Sequence, residues 1–326
     1  MIQRRMDLQN KIKIVEEVIA QTDLEQRQPR TLYEPMSYTM ALGGKRIRPL
    51  VLLLSYEAYR PEGLVTDVAP AMRAIELFHN FTLLHDDVMD DAPIRRGKPS
   101  VYKRWGANTA ILSGDGMMIE AYRHLSQLPS HLLPESLRLF NDMATAVCEG
   151  QQYDMDFEQR PLGEMTIGDY VDMIRLKTSY LFCGAVSLGA YLADAPESDR
   201  ALLWQAVELM GLAFQIKDDY LDVYSQPGFG KVQGGDILEG KRTWLLLTAY
   251  AKDPKAVDSA LSITNDEEKI AAVTQLYNTL GVSEAAIKET ERLSREAVGV
   301  LDKVALPQER IRPLKELFLS LVSREV

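Results

Sequence analysis

Residues 74–91 read AIELFHNFTLLHDDVMDD, an apolar stretch that ends in a cluster of aspartates. Its apolar side chains recur with helical spacing, which predicts an α-helix with a buried face. Asp86 and Asp90 are four residues apart, so a helix places them on one face, about 5–6 Å apart. Like charges at that spacing near a helix C-terminus destabilise the helix unless a cation binds between them. Oxygen ligands of this kind suit a partly hydrated Mg²⁺ that is shared with substrate phosphates.

A second aspartate cluster closes another predicted apolar helix, because residues 209–222 read LMGLAFQIKDDYLD. One cluster of this form could be a solvated helix end. Two copies, each after a long apolar helix and each before a loop rich in glycine and lysine, indicate a functional pair. The clusters lack the alternate acidic positions and the central glycine of a Ca²⁺ loop. Residues 228–231, GFGK, lack the Ser or Thr that completes a phosphate-binding P-loop.

Basic residues accompany both clusters. Residues 43–49 read GGKRIRP, so three cations precede a predicted helix whose first residue is Pro49. A helix N-terminus with Lys and Arg beside it can bind an anion, although the same pattern alone is typical of a solvated turn. Further cations follow the two clusters: Arg95 and Arg96 follow the first, and Lys231, Lys241 and Arg242 follow the second. Together these residues indicate a cavity for two diphosphates, one bound through metal ions and the other directly by Arg and Lys.

Helical periodicity dominates the whole chain and predicts an all-α fold. Segments with an apolar helical stripe are 5–25, 31–42, 49–59, 68–90, 107–127, 133–158, 167–193, 198–224, 241–252, 267–280, 283–303 and 308–323. The run LVLLL at 50–54 is interpreted as a buried helix because its neighbours are helical, and Gly43 and Gly44 suit a helix C-terminal cap. Residues 91–104 and 225–240 are expected to be irregular. No linker, low-complexity block or repeat interrupts the chain, which predicts a single domain over 1–326.

Composition narrows the class of protein further. The 326 residues carry a net charge of -10, which argues against a nucleic-acid partner. The sequence contains no run of 18 apolar residues, so no membrane-spanning helix is predicted. No apolar signal-peptide core follows the start, so a cytoplasmic location is expected. Cys148 and Cys183 lack CxxC spacing and are interpreted as core residues in a reducing compartment.

These motifs resemble those of the trans-isoprenyl diphosphate synthases, the polyprenyl synthetase family. The matching segments are GGKRIRP at 43–49, HNFTLLHDDVMDDAPIRRG at 79–97, Lys177-Thr178, FQIKDDYLDV at 214–223, FGK at 229–231 and GGDILEGKRTW at 234–244. The resemblance implies a single large helical domain of the isoprenoid synthase type, with a central cavity ringed by helices, and a homodimer. It also implies a Mg²⁺-dependent prenyltransferase that condenses isopentenyl diphosphate with an allylic diphosphate to give an all-trans prenyl diphosphate.

The resemblance further assigns roles to individual residues. The catalytic set would be Asp86, Asp87, Asp90, Asp218, Asp219, Asp222, Lys177 and Lys231, of which Asp86, Asp90 and Asp218 would bind three Mg²⁺ ions. The allylic diphosphate would contact Arg95, Lys177, Thr178, Gln215, Lys231 and Lys241. The diphosphate of isopentenyl diphosphate would contact Lys45, Arg48, His79 and Arg96. The metal ions and the cations would stabilise the charge on the leaving diphosphate as the allylic C–O bond breaks.

Product length is expected to depend on the helix before Asp86. Thr82 is small and lies about one turn deeper on the same face. Phe81 is adjacent and bulky, and Phe78 lies about two turns deeper. Plain core packing would also explain these aromatic residues. In the family an aromatic residue five positions before the first Asp is typical of short-chain enzymes, which favours a C15 to C20 product, C20 before C15, from a C5, C10 or C15 starter.

Three alternative readings stay open. A class I terpene cyclase or squalene-type synthase would share the first aspartate motif, but a cyclase usually carries Asn, Ser or Glu in the second motif. A non-catalytic subunit of a heteromeric prenyl synthase would tend to lose carboxylates from one motif, and both motifs are intact here. A Ca²⁺-binding or scaffold helical protein would leave the basic segments unexplained.

Overall fold

The structure is a computed structural model that describes residues 2–225 and 233–323. Its α-helices are α1 (Ile2–Ala20), α2 (Arg30–Ala41), α3 (Ile47–Tyr59), α4 (Val65–Met89), α5 (Val101–Trp105), α6 (Ala107–Leu125), α7 (Leu133–Gln159), α8 (Ile167–Ile174), α9 (Tyr180–Leu192), α10 (Glu197–Tyr224), α11 (Gly235–Glu239), α12 (Trp244–Lys252), α13 (Pro254–Leu261), α14 (Asp266–Thr279), α15 (Val282–Leu301) and α16 (Gln308–Val322). A 3₁₀ turn spans Leu162–Glu164, and a π-helical segment spans Arg175–Ser179. Strands β1 (Ile94–Arg95) and β2 (Lys98–Pro99) form a small antiparallel hairpin. The prediction of an all-α fold is confirmed.

The chain divides into two compact units. The first comprises Met1–Asp142, Gly184–Ala201 and Ala305–Leu317, and the second comprises Met143–Cys183, Leu202–Val304 and Phe318–Val326. The expectation of a single domain over 1–326 stays a prediction.

Helix α4 organises the first unit. It contacts each of the helices α1, α2, α3, α5 and α6. Ile75, Leu77 and Phe78 are fully buried on it, which is the burial that the apolar stripe predicts. The run at 50–54 lies buried within α3, as its helical neighbours indicated. The C-terminal end of α4, with its aspartates, is therefore held by a packed core.

The second unit has its own apolar core, built by α8, α12, α14, α15 and residues 202–224 of α10. Tyr170, Leu245 and Tyr277 are almost fully buried in this core, and Trp244 is only slightly more exposed. The second aspartate cluster is thus also carried by a helix that is anchored in a core.

Several expectations about the helices are wrong in detail. Helix α3 begins at Ile47, so Pro49 is its third residue; a proline is tolerated there because the first four N–H groups of a helix have no partner within it. The predicted helix at 167–193 is interrupted by the π-helical segment. The short helices α5, α11 and α13 were missed, since one or two turns carry little periodicity. Gly43 has a φ of +77° directly after α2, as a helix C-cap requires.

The two cysteines differ. Cys183 is buried, as expected, but Cys148 is exposed on α7, so its interpretation as a core residue is wrong. Within residues 2–225 and 233–323, no helix has both the length and the apolar character that crossing a membrane requires.

Candidate active site

The first aspartate cluster closes helix α4. Asp90 is the C-cap residue, and its N–H donates to the carbonyl oxygen of Asp86 at 2.9 Å. Asp86 and Asp90 therefore lie one helical turn apart on the same face. Both are partly exposed, whereas Asp87 points to another side and is buried. The carboxylate pair that the spacing predicted is present at this helix end.

Asp87 forms a buried ion pair with Arg95. Its Oδ1 accepts hydrogen bonds from the Arg95 Nε at 2.8 Å and from Nη2 at 2.5 Å. Burial raises the pKa of Asp87, and the charges of Asp86 and Asp90 raise it further, while Arg95 opposes them. Asp87 thus holds a guanidinium beside the carboxylate pair, and this supports a positioning role for it.

The hairpin directs two consecutive arginines to different partners. Its turn consists of Arg96 and Gly97, both with positive φ, at +54° and +73°, as in the two-residue turns that match strand twist. Arg95 precedes the turn and contacts Asp87, whereas Arg96 donates a hydrogen bond to the carbonyl oxygen of Gly43. The turn therefore connects the end of α4 to the glycine-rich segment at 43–49.

The three cations of GGKRIRP have different surroundings. Arg46, with a φ of +46°, turns inward, and its Nη1 lies 2.5 Å from the Glu76 Oε1. Arg48 is partly exposed, and its Nη1 lies 3.0 Å from the His79 Nε2. Lys45 is exposed at the start of the segment. Arg46 is therefore structural, while Lys45 and Arg48 remain accessible to a ligand.

His79 lies within a group of arginines. Burial lowers its pKa well below the usual range, and the positive charges of Arg48, Arg96, Arg95 and Arg46 lower it further. A neutral imidazole follows. Because a guanidinium can only donate, the Nε2 that faces Arg48 accepts a hydrogen bond. We call these four arginines and His79 the arginine cluster. It brings together three of the four residues predicted for isopentenyl diphosphate, namely Arg48, His79 and Arg96, and its charge suits a diphosphate.

The second aspartate cluster lies near the end of α10, in the second unit. Asp219 is 4% exposed. Its Oδ1 accepts from the Gln215 Nε2 at 3.0 Å, and its Oδ2 accepts from the Tyr170 hydroxyl at 2.7 Å and the Trp244 N–H at 3.2 Å. Burial, and then the charge of Asp236, raise the pKa of Asp219 above its usual range. These bonds tie α8, α10 and α12 together, which indicates positioning rather than ligand contact.

Asp222 and Asp218 differ in how far they are exposed. Asp222 is 6% exposed, and its Oδ2 accepts from the N–H of Asp236 at 3.1 Å, at the start of α11. Asp218 is the partly exposed member of the cluster. Among these three aspartates, Asp218 is therefore the one best placed to reach a ligand.

The predicted lysines of the second unit share acidic partners on α7. The Nζ of Lys177 lies 2.6 Å from the Asp154 Oδ2, and the Nζ of Lys241 lies 3.0 Å from the Glu158 Oε1 and 3.7 Å from the same Asp154 oxygen. Sequence reasoning missed Asp154 and Glu158. Their spacing of four residues on one helix was a visible signal, but it resembled any solvated helix face. Lys231 lies outside the described residues.

Two further predicted residues, Thr178 and Gln215, are linked by hydrogen bonds to each other and to Asp219. The Thr178 hydroxyl donates to the Gln215 Oε1 at 3.1 Å, and the Gln215 amide in turn donates to Asp219. Gln215 is thus oriented from both sides. The predicted residues Lys177, Thr178, Gln215 and Lys241 all lie in the second unit, whereas Arg95, predicted for the same diphosphate, lies in the first.

The aromatic residues before Asp86 occupy a separate face of α4. Phe78, Phe81 and His85 follow helical spacing, with ring centroids 5.4 Å apart for Phe78 and Phe81 and 4.7 Å apart for Phe81 and His85. At 100° per residue, Phe81 lies about 140° around the helix from Asp86. Thr82 does share the face of Asp86, and its hydroxyl donates back to the His79 carbonyl at 2.8 Å.

The donor sets fit a Mg²⁺ ion that is shared with a ligand. Within the described part of the chain, no three His, Cys, Asp or Glu side chains are arranged to hold a metal ion by themselves. Mg²⁺ keeps several waters and commonly takes one or two protein carboxylates together with substrate phosphates. Asp86 and Asp90, with hard oxygen donors one turn apart, match that requirement.

The chain is similar to known prenyl diphosphate synthases. The family model described as polyprenyl synthetase matches residues 29–280. The geranylgeranyl diphosphate synthase of Methanosarcina mazei is 39% identical over 252 residues, 76% of each chain. A short chain isoprenyl diphosphate synthase of Methanothermobacter thermautotrophicus is 38% identical over 294 residues, 88% of this chain and 86% of that one. A crystal structure of a geranylgeranyl pyrophosphate synthase superposes with a TM-score of 0.91 at 36% identity, covering 98% of this chain and 99% of that one.

These matches confirm the predicted isoprenoid synthase fold, and with the family they confirm the predicted enzyme class, a trans-prenyltransferase. The chain belongs to the polyprenyl synthetase family.

Proposed function

We propose that this enzyme condenses isopentenyl diphosphate with an allylic diphosphate, in a Mg²⁺-dependent reaction, to give an all-trans prenyl diphosphate of 15 to 20 carbons. One observation carries the proposal. In the first unit, Asp86 and Asp90 lie one helical turn apart, as a metal-bound diphosphate requires, and Arg48 beside His79 and Arg96 at the Gly43 carbonyl offer cations to a second anion. The alternatives of a cyclase or a Ca²⁺-binding scaffold do not require that second cationic site.

The proposed metal-binding carboxylates are Asp86 and Asp90, and Asp218 is proposed as a further one because it is the partly exposed member of its cluster. When bound, Mg²⁺ supplies positive charge that stabilises the allylic diphosphate as a leaving group. Asp87 and Asp219 keep Arg95 and Gln215 in place through the contacts described above. Because Asp219 and Asp222 are buried and hydrogen-bonded, they support their helix end instead of contacting substrate.

Cations of the chain share the remaining charge. Lys177 and Lys241, held by Asp154 and Glu158, can donate hydrogen bonds to the oxygens of the allylic diphosphate. As the C–O bond breaks, its electron pair goes to the diphosphate, and the double bond of isopentenyl diphosphate forms the new C–C bond. The resulting cation then loses a proton to the departing diphosphate. The product is five carbons longer.

The arginine cluster holds the second substrate. Arg48 and Arg96, together with Lys45, would contact the diphosphate of isopentenyl diphosphate. Neutral His79 adds no charge but accepts from Arg48, and so orients its guanidinium. Since this diphosphate is retained in the reaction, direct binding by fixed cations suits it better than binding through the metal-stabilised leaving-group site.

A product assay tests the proposal. The purified protein would be incubated with Mg²⁺, isopentenyl diphosphate and a C5, C10 or C15 allylic starter, and the dephosphorylated alcohols would be separated by length. We expect a discrete C15 or C20 alcohol that disappears when EDTA removes the metal and returns with added Mg²⁺. Cyclic hydrocarbons would instead indicate a cyclase, and absence of condensation by folded protein would indicate a partner subunit.

We also propose a homodimer. Helix α6 exposes Ile111, Leu112 and Ile119 by 43%, 60% and 62%, and exposed apolar side chains grouped on one helix are typical of interaction surfaces. Light scattering after size-exclusion chromatography should give twice the chain mass, and Leu112→Glu with Ile119→Glu should give a monomer. A wild-type monomer at micromolar concentration would contradict this assignment. The cytoplasmic location stays a prediction.

A further inference from the structure

The π-helical segment carries two residues of the proposed site. Arg175–Ser179 joins α8 to α9, and the N–H of Tyr180 donates to the carbonyl oxygen of Arg175, five residues back. Lys177 and Thr178 both lie within this turn. π-helical turns are rare and frequently occur at functional sites, so the packing that holds this one determines where both side chains point.

Helix α7 contacts the segment through a glycine. A β-carbon at position 150 would lie only 2.6 Å from the Cα of Lys177 and closer still to its backbone nitrogen. Gly150 is buried, so the backbones of α7 and the π-helical segment are in direct contact. One turn further along α7, Asp154 holds the Lys177 Nζ at 2.6 Å.

Helix α10 also contacts the segment through a glycine, at Ser179. A β-carbon at position 211 would lie 2.7 Å from both the Cα and the Cβ of Ser179 and closer still to its Oγ, and Gly211 is buried. One turn further along α10, the Gln215 Oε1 accepts the hydrogen bond of the Thr178 hydroxyl at 3.1 Å. Each helix thus pairs a glycine, which contacts the backbone of the segment, with a polar residue four positions later, which binds one of its side chains.

We propose that Gly150 and Gly211 are positioning residues, which set the location of Lys177 and Thr178 by allowing α7 and α10 to touch the π-helical segment. The nearest atoms that an alanine at position 150 would meet belong to the backbone, which cannot rotate away as a side-chain end could, and an alanine at position 211 would meet the Cα of Ser179 as well as its side chain. The segment would have to shift, and a shift of about 1 Å in a positioning group can lower a rate about 100-fold. This inference rests on the proposed role of Lys177 and Thr178 at the allylic diphosphate.

Alanine substitutions with a matched control test the inference. We expect Gly150→Ala and Gly211→Ala to lower kcat roughly 10- to 100-fold and to raise KM for the allylic substrate, with KM for isopentenyl diphosphate within about twofold of wild type. Gly299→Ala is the control, because Gly299 is exposed on α15 and an added β-carbon there meets nothing within 4 Å. Its kinetics should equal those of wild type. Equal changes in both KM values for Gly150→Ala would overturn the inference.

A double-mutant cycle separates positioning from general damage. If Gly150 acts through Lys177, Gly150→Ala combined with Lys177→Ala should be no slower than Lys177→Ala alone, within about threefold. Losses that multiply would overturn the inference. Should Gly150→Ala fail to fold, Gly211→Ala combined with Thr178→Val carries the same test. Gly211→Ala is the milder change, because part of the Gly211 contact is with the Ser179 side chain and not with backbone.

Crystal structures of the variants give a readout that does not depend on activity. The inference requires that the π-helical segment move in Gly150→Ala, with the Lys177 Nζ displaced from Asp154. An unmoved segment would overturn it even if the wild-type enzyme condenses prenyl diphosphates as proposed. A wild-type protein that forms no prenyl product would contradict the proposed function, while the crystallographic comparison would still decide the positioning role.

Discussion

Arg46 and Glu76 form a buried ion pair whose disruption should strongly destabilise the first unit. Their side chains are 8% and 2% exposed, and the Arg46 Nη1 lies 2.5 Å from the Glu76 Oε1. Arg46 also donates to the Met40 carbonyl at 2.5 Å, and Glu76 accepts from the Asn80 amide at 3.0 Å. Arg46→Met would leave the Glu76 carboxylate buried without its counter-charge, which typically costs about 3–5 kcal/mol.

Urea unfolding followed by circular dichroism would measure the loss. A decrease of about 3–5 kcal/mol is a large part of the roughly 5–15 kcal/mol that stabilises a folded protein. The double variant Arg46→Met with Glu76→Leu removes both charges, so it should lose less than Arg46→Met alone. As a matched control, Arg292→Met removes an arginine that is 54% exposed and pairs with Glu289, and it should cost about 1 kcal/mol or less. The reasoning is refuted if Arg46→Met costs no more than this control. It is also refuted if the loss in the double variant equals the sum of the losses in Arg46→Met and in Glu76→Leu measured singly.

Three further predictions concern α4. Asp86→Asn and Asp90→Asn should each lower kcat at least 100-fold, the order of loss for one group that stabilises transition-state charge. Each should also raise thermal stability slightly, because the repulsion between the two carboxylates is removed. A fall in the melting temperature would instead indicate a structural role. The pKa of His79 is lowered in the folded state. As the pH falls below about 6.5, the unfolded chain therefore binds a proton that the folded chain does not, and wild type should lose more stability than His79→Gln, by at most about 1.4 kcal/mol per pH unit. Parallel unfolding curves from pH 7 to pH 5 would argue against this. Phe81→Ala should release longer alcohols than wild type in the product assay if Phe81 limits the product cavity, although it lies about 140° around α4 from Asp86. An unchanged product length would exclude Phe81 as the floor of that cavity.

Local patterns in the sequence were enough to predict most helices and the two aspartate clusters. A helix with a long apolar stripe, such as α4, repeats its signal over several turns, so its position and its buried face follow from spacing alone. The same spacing places Asp86 and Asp90 on one face. Helices of five to eight residues, such as α5 and α13, were missed because one or two turns repeat too little of this signal. The exposure of Cys148 also lies beyond local pattern, since exposure depends on what packs across from a residue.

Side-chain partners required the tertiary structure. The sequence by itself determined that GGKRIRP carries three cations and that two arginines follow the first aspartate cluster. Only the folded chain decided that Arg46 pairs with Glu76, that the hairpin turn separates Arg95 from Arg96, and that Asp154 holds Lys177. The physical reason is that spacing fixes which face of a helix a residue occupies, while its partner comes from segments distant in the chain, brought there by the packing of the whole core.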